Sequence, residues 1–247
     1  MAKTLSSNEF DVKISTRSST RLAELRSENI TPFIVDIDQL NKHITSFLDS
    51  PILIINITSK NSESFCNLIT EIEQSSVEKI IFISSTSVYQ NTNNIISEFN
   101  AAESAESTLF QIENLFRNNT HFQTTIVRLA GLVGPQRHPG LFFRNGKKVQ
   151  QANAPVNLIH LDDCIAIISE IIKQNVWGET LNACSDNHPT KREFYSHARQ
   201  LLGLAPPEFI DSDKENYKII NNMKVKQTLN YSFKHPDVMK ILFEGKQ

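Results

Sequence analysis

The chain has 247 residues, 39% of them hydrophobic and 21% charged, with a net charge of −2 at neutral pH. That is enough for one large domain or a domain with an appended lobe, and it leaves no basic patch for nucleic acid and no polybasic segment for an anionic membrane. The longest apolar runs are too short to span a bilayer, and "MAKTLSSNEF" has no core of signal-peptide length. The three cysteines, Cys66, Cys164 and Cys184, are widely spaced and form no C-x-x-C. They imply reduced thiols in a cytoplasmic setting, with no zinc site and no disulfide framework. There are only seven glycines, and the first is Gly131.

In chain order, "DVKIST" (11–16) and "TPFIVDI" (31–37) read as strands, and "PILIINI" (51–57) as a third, of the continuous kind buried on both faces. The segment 62–76 places Phe65, Leu68, Ile69 and Ile72 on one helical face, and "KIIFISS" (79–85) is a fourth strand. A helix is predicted over 102–118, with Leu109, Ile112, Leu115 and Phe116 inward. In "QTTIVRLAGLVG" (123–134) a fifth strand, near 123–130, runs into a Gly-bounded loop, and the irregular loop at 135–155 follows. Further on come a helix at 161–174, the short strand "ETLNAC" and a helix at 190–202. This alternation predicts an α/β fold, a parallel sheet covered by helices on both faces. The expected division is a main domain over 1–186, with an excursion at 135–155, and a small lobe over 187–247. Ligands of such sheets sit beyond the carboxyl ends of the strands. Here those ends carry Ser15–Arg17, Asp36, Asn56–Thr58, Ser84–Tyr89 and Arg128–Gly134.

"SSTSVYQ" (84–90), "RLAGLVGPQRHPG" (128–140) and "VNLIHLDD" (156–163), in this order and spacing, resemble the extended or atypical short-chain dehydrogenase/reductases. Their YeeZ-like branch of NAD(P)-dependent epimerase/dehydratase proteins is the nearest in pattern, and the resemblance covers nearly the whole chain. It implies a Rossmann-like doubly wound sheet, a small C-terminal substrate lobe, NADP or NAD as cofactor, and a small-molecule substrate.

Two departures qualify it. Active members carry a Tyr-x-x-x-Lys pair on the helix after the serine strand; anchoring on Glu113 puts Ala105 and Leu109 at those positions. A Rossmann unit also opens with a strand and G-x-G-x-x-G, whereas "MAKTLSSNEF" resembles the back half of the family's first helix. The sequence therefore implies an N-terminally truncated member. Its sheet is expected to have a gap between the strands at 11–16 and 51–57, or a direct pairing of the two.

The resemblance assigns Ser85 the catalytic hydroxyl, whose plainer reading is a strand-end serine satisfying backbone groups. Tyr89 is a candidate substitute acid, or packs under the sheet edge. Ser87 stands where dehydratases carry an acidic residue, as does Thr86, which disfavours a sugar-dehydratase mechanism. Arg17 suits the 2′-phosphate of NADP and equally suits a solvated loop. Asp36 and Ile37 would flank the adenine, though Asp36 also serves as a turn residue. Asn56, Ile57, Thr58 and Arg128 complete the expected cofactor contacts, and Ser87, Gly131, Arg137 and His138 are the expected substrate contacts. His160, Asp162 and Asp163 read as structural, with either aspartate as a helix cap; a metal site from the three is the lesser reading. Three functions compete: an NAD(P)-dependent enzyme, a metabolite-binding protein without redox turnover, and an inactive or interaction remnant.

Overall fold

The computed structural model describes residues 1–144 and 146–243. The chain divides into two compact units. One comprises Met1–Ser84, Ala105–Ile126 and Asn175–Glu179; the other comprises Ser85–Ser104, Val127–Gln174 and the described residues from Thr180 onward.

The first unit opens with α1 (Ala2–Ser7), β1 (Val12–Thr16), α2 (Leu22–Leu25), β2 (Ile30–Ile34) and α3 (His43–Phe47). It continues with β3 (Ile52–Ile55), α4 (Ser62–Glu73) and β4 (Lys79–Ser85). The chain then lays down β5 (Ile95–Ile96) in the second unit and returns as α5 (Thr108–Arg117) and the first half of β6 (Gln123–Leu129). β1 and β2 pair in parallel from Val12 opposite Ile30 to Thr16 opposite Ile34. Pro32 is tolerated there because β2 is an edge strand, one side of which needs no donor. β3 and β4 pair in parallel from Ile52 opposite Lys79 to Ile55 opposite Phe82, and β6 is the next neighbour of β4.

Among the described residues no ladder joins β1 to β3, so the expected gap is present, and residues 2–7 form a helix rather than a strand. The α4 helix follows its sequence pattern: Phe65, Leu68 and Ile72 are buried, and Asn61 caps it by accepting the N–H groups of Glu63 and Ser64. Its apolar face joins β3, β4, α5 and β6 in one core, in which the Phe82 and Phe116 rings stack at 5.0 Å. Phe65 meets both rings edge-on, at 6.1 and 6.0 Å.

The predicted helix at 102–118 begins only at Thr108. The backbone of 102–104 is committed elsewhere: Gln90 N–H donates to the Ala102 carbonyl and Ser104 N–H to that of Val88. Ser107 then caps the helix by accepting the Phe110 N–H.

The second unit carries β7 (Gly131–Val133), β8 (Val149–Gln150), β9 (Leu158–His160) and α6 (Leu161–Lys173). After these come β10 (Thr180–Ala183), α7 (Lys191–Gln200), β11 (Phe209–Ile210), β12 (Ile219–Ile220) and α8 (Met223–Leu229). β7 pairs with β9, β8 with β11 and β5 with β12, all in parallel, while the last half of β6 lies beside β10. The strand expected over 123–130 is β6, and the Gly-bounded stretch after it adds the short strand β7, because the backbone changes partner at one residue. Ala130 N–H donates to Ala183, whereas Gly131 N–H donates to Asn157.

Truncating a ring at the centre of the aromatic cluster should empty space that its neighbours cannot refill. Phe116→Ala is expected to cost about 3–5 kcal/mol of stability in urea unfolding, while Ala in place of the exposed Phe99 stays near wild type.

Candidate functional site

In the first unit, the carboxyl ends of β1, β2 and β3 present the residues expected to meet a nucleotide. Arg17 is exposed one residue beyond β1. Asp36 lies two residues beyond β2 and uses Oδ1 to accept the Asp38 N–H, as a turn aspartate does. Ile37 packs against the core, so its side chain is only partly available. Asn56, Ile57 and Thr58 follow β3 and are all exposed.

Glu113, at the register that anchors the family pattern, is fully buried on α5; it accepts the Ser84 hydroxyl at 2.5 Å and pairs with Arg117 at 3.0 Å. Leu109, one turn earlier, packs against the core. Ala105 lies outside the helix, its carbonyl accepting the side chain of Gln111. Neither position offers an ionisable group.

In the second unit, Ser85 accepts the Ser87 N–H at 3.1 Å, which leaves its hydroxyl proton free to donate. Ser87 itself is exposed. Tyr89 does not line an open cleft: it is 3% exposed, and its hydroxyl donates to Asn182 Oδ1 at 3.0 Å. Burial pushes its phenol pKa up, against the opposing pull of the neighbouring Arg128 cation. Arg128 is 1% exposed, with its guanidinium 4.7 Å from the Tyr89 ring centre and paired with Glu103 at 2.5 Å. Buried in this way it is an internal strut, not the cofactor contact expected of it. Lys218 donates to the Tyr89 carbonyl and Glu98 accepts the Asn182 N–H. Nothing in the sequence pattern singled out Asn182, Glu98, Glu103 or Lys218, which fall in three separate stretches of the chain and in no shared motif.

The loop residues are placed separately from this network. Gly131 is required by close approach, because a Cβ there would lie 2.8 Å from Leu158 Cδ2 and 3.1 Å from the Asn157 carbonyl. Arg137 donates to the Leu132 carbonyl and lies over the Phe142 ring. His138 is 6% exposed, and its ring lies tilted against Phe243 at 4.6 Å; its Nδ1 accepts the Gly140 N–H, its Nε2 is buried without a partner, and burial lowers its pKa.

Neither aspartate caps α6 by its side chain. His160 is the cap, accepting the Asp162 N–H through Nδ1 at 3.2 Å. The fully buried Asp163 carboxylate instead holds the C-terminal segment, accepting from the Tyr231 hydroxyl and from the N–H groups of Lys234 and His235.

A dinucleotide needs two things here, and the residues present fit one of them. Arg17, Asp36 and Asn56–Thr58 suit an adenosine with or without a 2′-phosphate. The pyrophosphate calls for a glycine turn leading into a helix N-terminus. No residue before position 131 is glycine. The helix after β1 has four residues and no side-chain cap, and the first N–H groups of α4 are taken by Asn61. The pyrophosphate half is therefore not matched, and no chemical step is derived through a nicotinamide.

Glu98 supplies a pH test of the buried network. Burial raises its carboxyl pKa, the Asn182 N–H opposes this, and Oε2 has no hydrogen-bond partner. A carboxyl raised on folding favours the native state while protonated, below the ordinary carboxylate value, and loses that contribution as pH rises through the folded value. Glu98→Gln should therefore melt at a higher temperature than wild type at pH 8, with the difference vanishing below about pH 4.

Comparisons with known proteins bear on the family and the fold. Residues 1–160 match a family described as NAD(P)H-binding. Protein YeeZ of Escherichia coli (strain K12) is 33% identical over 216 residues, which cover 83% of this chain and 77% of YeeZ. A functionally unknown conserved protein from Silicibacter pomeroyi DSS superposes with a TM-score of 0.81 at 18% identity, over 96% of this chain and 90% of that one. The UDP-glucose 4-epimerase of Thermotoga maritima, solved with UDP-glucose, gives 0.74 at 14% identity over 94% and 88%. These last two similarities speak to the fold alone. The chain belongs to the NAD(P)H-binding family, as a YeeZ-like member of it.

Proposed function

We propose that this chain is an NAD(P)-binding protein of the epimerase/dehydratase type that holds its dinucleotide by the adenosine end, weakly, and lacks the family's Tyr-Lys acid/base pair. The observation that carries this reading is the set of residues beyond β1, β2 and β3 in one unit, the exposed Arg17 and Asn56–Thr58 and the half-buried Asp36, with no glycine turn among them. Arg17 favours the 2′-phosphate of NADP over the free ribose of NAD, because a guanidinium matches a phosphate with two parallel donors. Ser85 is the hydroxyl positioned to meet a substrate oxygen. Its proton is uncommitted, but no base stands at Ala105 or Leu109, so proton transfer by the family route has no acceptor.

The weakness has a magnitude. Each charge-assisted hydrogen bond to a phosphate is worth roughly 1.5–3 kcal/mol, so two or three missing from the pyrophosphate lower affinity by several powers of ten.

Calorimetric titration with NADPH beside 2′,5′-ADP, which carries only the adenosine end, tests the reading directly. The two should bind within a few-fold of each other and more weakly than micromolar, and Arg17→Ala should weaken 2′,5′-ADP roughly 10- to 100-fold. Micromolar NADPH binding far above that of the fragment would overturn the proposal. So would steady NADPH oxidation, followed at 340 nm with a sugar nucleotide, that Ser85→Ala abolishes.

A further inference from the structure

A second cluster of chemically competent side chains lies in the second unit, apart from the nucleotide-binding residues and from the buried Tyr89 network. His160 closes β9, Asp162 stands in the first turn of α6, and His235 belongs to the segment that Asp163 holds in place. The His160 and His235 rings lie 3.9 Å apart at 45°. Asp162 Oδ2 is 3.3 Å from His160 Nδ1 and 3.2 Å from His235 Nε2, and the three ligand atoms lie within 4.8 Å of one another.

Two features make this more than a surface ion pair. His160 Nδ1 accepts the Asp162 N–H, so it carries a lone pair and no proton on that side, yet a carboxylate oxygen also faces it. A carboxylate oxygen that close to a ring nitrogen is held either by a proton on Nδ1 or by a cation between the two, and the Asp162 N–H on Nδ1 leaves that nitrogen its lone pair for the cation. The spacing is also that of a coordination shell: ligand bonds of about 2.0–2.2 Å at tetrahedral angles set neighbouring donor atoms roughly 3.3–3.5 Å apart. The scaffold is fixed in advance. His235 is placed by its own N–H on the fully buried Asp163 carboxylate, alongside the bonds from Tyr231 and Lys234. Asp162 remains about half exposed, which gives an ion a path in and leaves room for water as a further ligand.

We propose that His160 Nδ1, Asp162 Oδ2 and His235 Nε2 form a binding site for one borderline divalent cation of the zinc type. Two imidazoles and one carboxylate select zinc, cobalt or nickel over magnesium and calcium, which prefer all-oxygen shells. The Asp162 N–H competes for the His160 lone pair through a long contact that metal binding would displace. The ion would tie the start of α6 to the segment after α8.

The test is calorimetric titration of the metal-free full chain with zinc and, separately, magnesium. Cobalt(II) absorption serves as a second readout that needs no variant. One zinc per chain is expected, with no heat from magnesium and an intense visible cobalt band of low-coordinate geometry. Asp162→Asn and His235→Ala should each weaken zinc at least ~10-fold, while His121→Ala on the first unit leaves it unchanged. Zinc binding that is absent, or unmoved by both substitutions, would overturn the proposal, as would a cobalt spectrum identical to that of the free ion.

Discussion

A guanidinium taken almost wholly out of water has to be neutralised and hydrogen-bonded where it lies, or the unit around it does not fold. Arg128 sets this condition for the second unit. Glu103 supplies the countercharge and the Tyr89 ring supplies a π face, two partners drawn from the same excursion of the chain. Tyr89 in turn needs an acceptor for its hydroxyl, which fixes Asn182, and the Asn182 N–H fixes Glu98. The backbone follows the same demand. Residues 88–90 and 102–104 pair with one another so that Tyr89 and Glu103 both reach the cation, and that pairing delays the start of α5. A tyrosine spent in this way is not available to exchange protons with a ligand.

The strands were legible in the sequence because runs such as 52–55 and 79–85 are β-branched and apolar, and such runs are stable only inside a sheet. The gap between β1 and β3 was legible too, since no segment among the first ten residues has the composition of a central strand. What periodicity could not show were changes of partner. The break at Ala130 is invisible because Ala130 and Gly131 belong to one continuous apolar run, and only the carbonyls they meet distinguish them. Nor could local pattern separate Asp162 from Asp163. Both lie in the first turn of a helix, but only Asp163 meets Tyr231 and Lys234, which are about seventy residues away.

The candidate site shows the same division between local and distant information. Arg17, Asp36 and Asn56–Thr58 were readable because strand ends can be counted along the chain, and they lie beyond β1, β2 and β3 as the counting requires. Arg128 was misread because a strand-end arginine in sequence looks the same whether it faces a ligand or an internal carboxylate. Burial separates the two, and burial is set by residues elsewhere in the chain.

Gly140 carries a different kind of consequence. A Cβ at that position would lie 2.5 Å from the Ala198 carbonyl, so the short turn after His138 rests directly on the backbone of α7. Contact between main chains cannot be loosened by swapping side chains on the helix. The loop and the helix must therefore drift together over evolutionary time, and any descendant that fills position 140 has first to surrender the seat of α7. What looks in the sequence like an irregular loop is in this respect tied to the backbone of the helix it rests on.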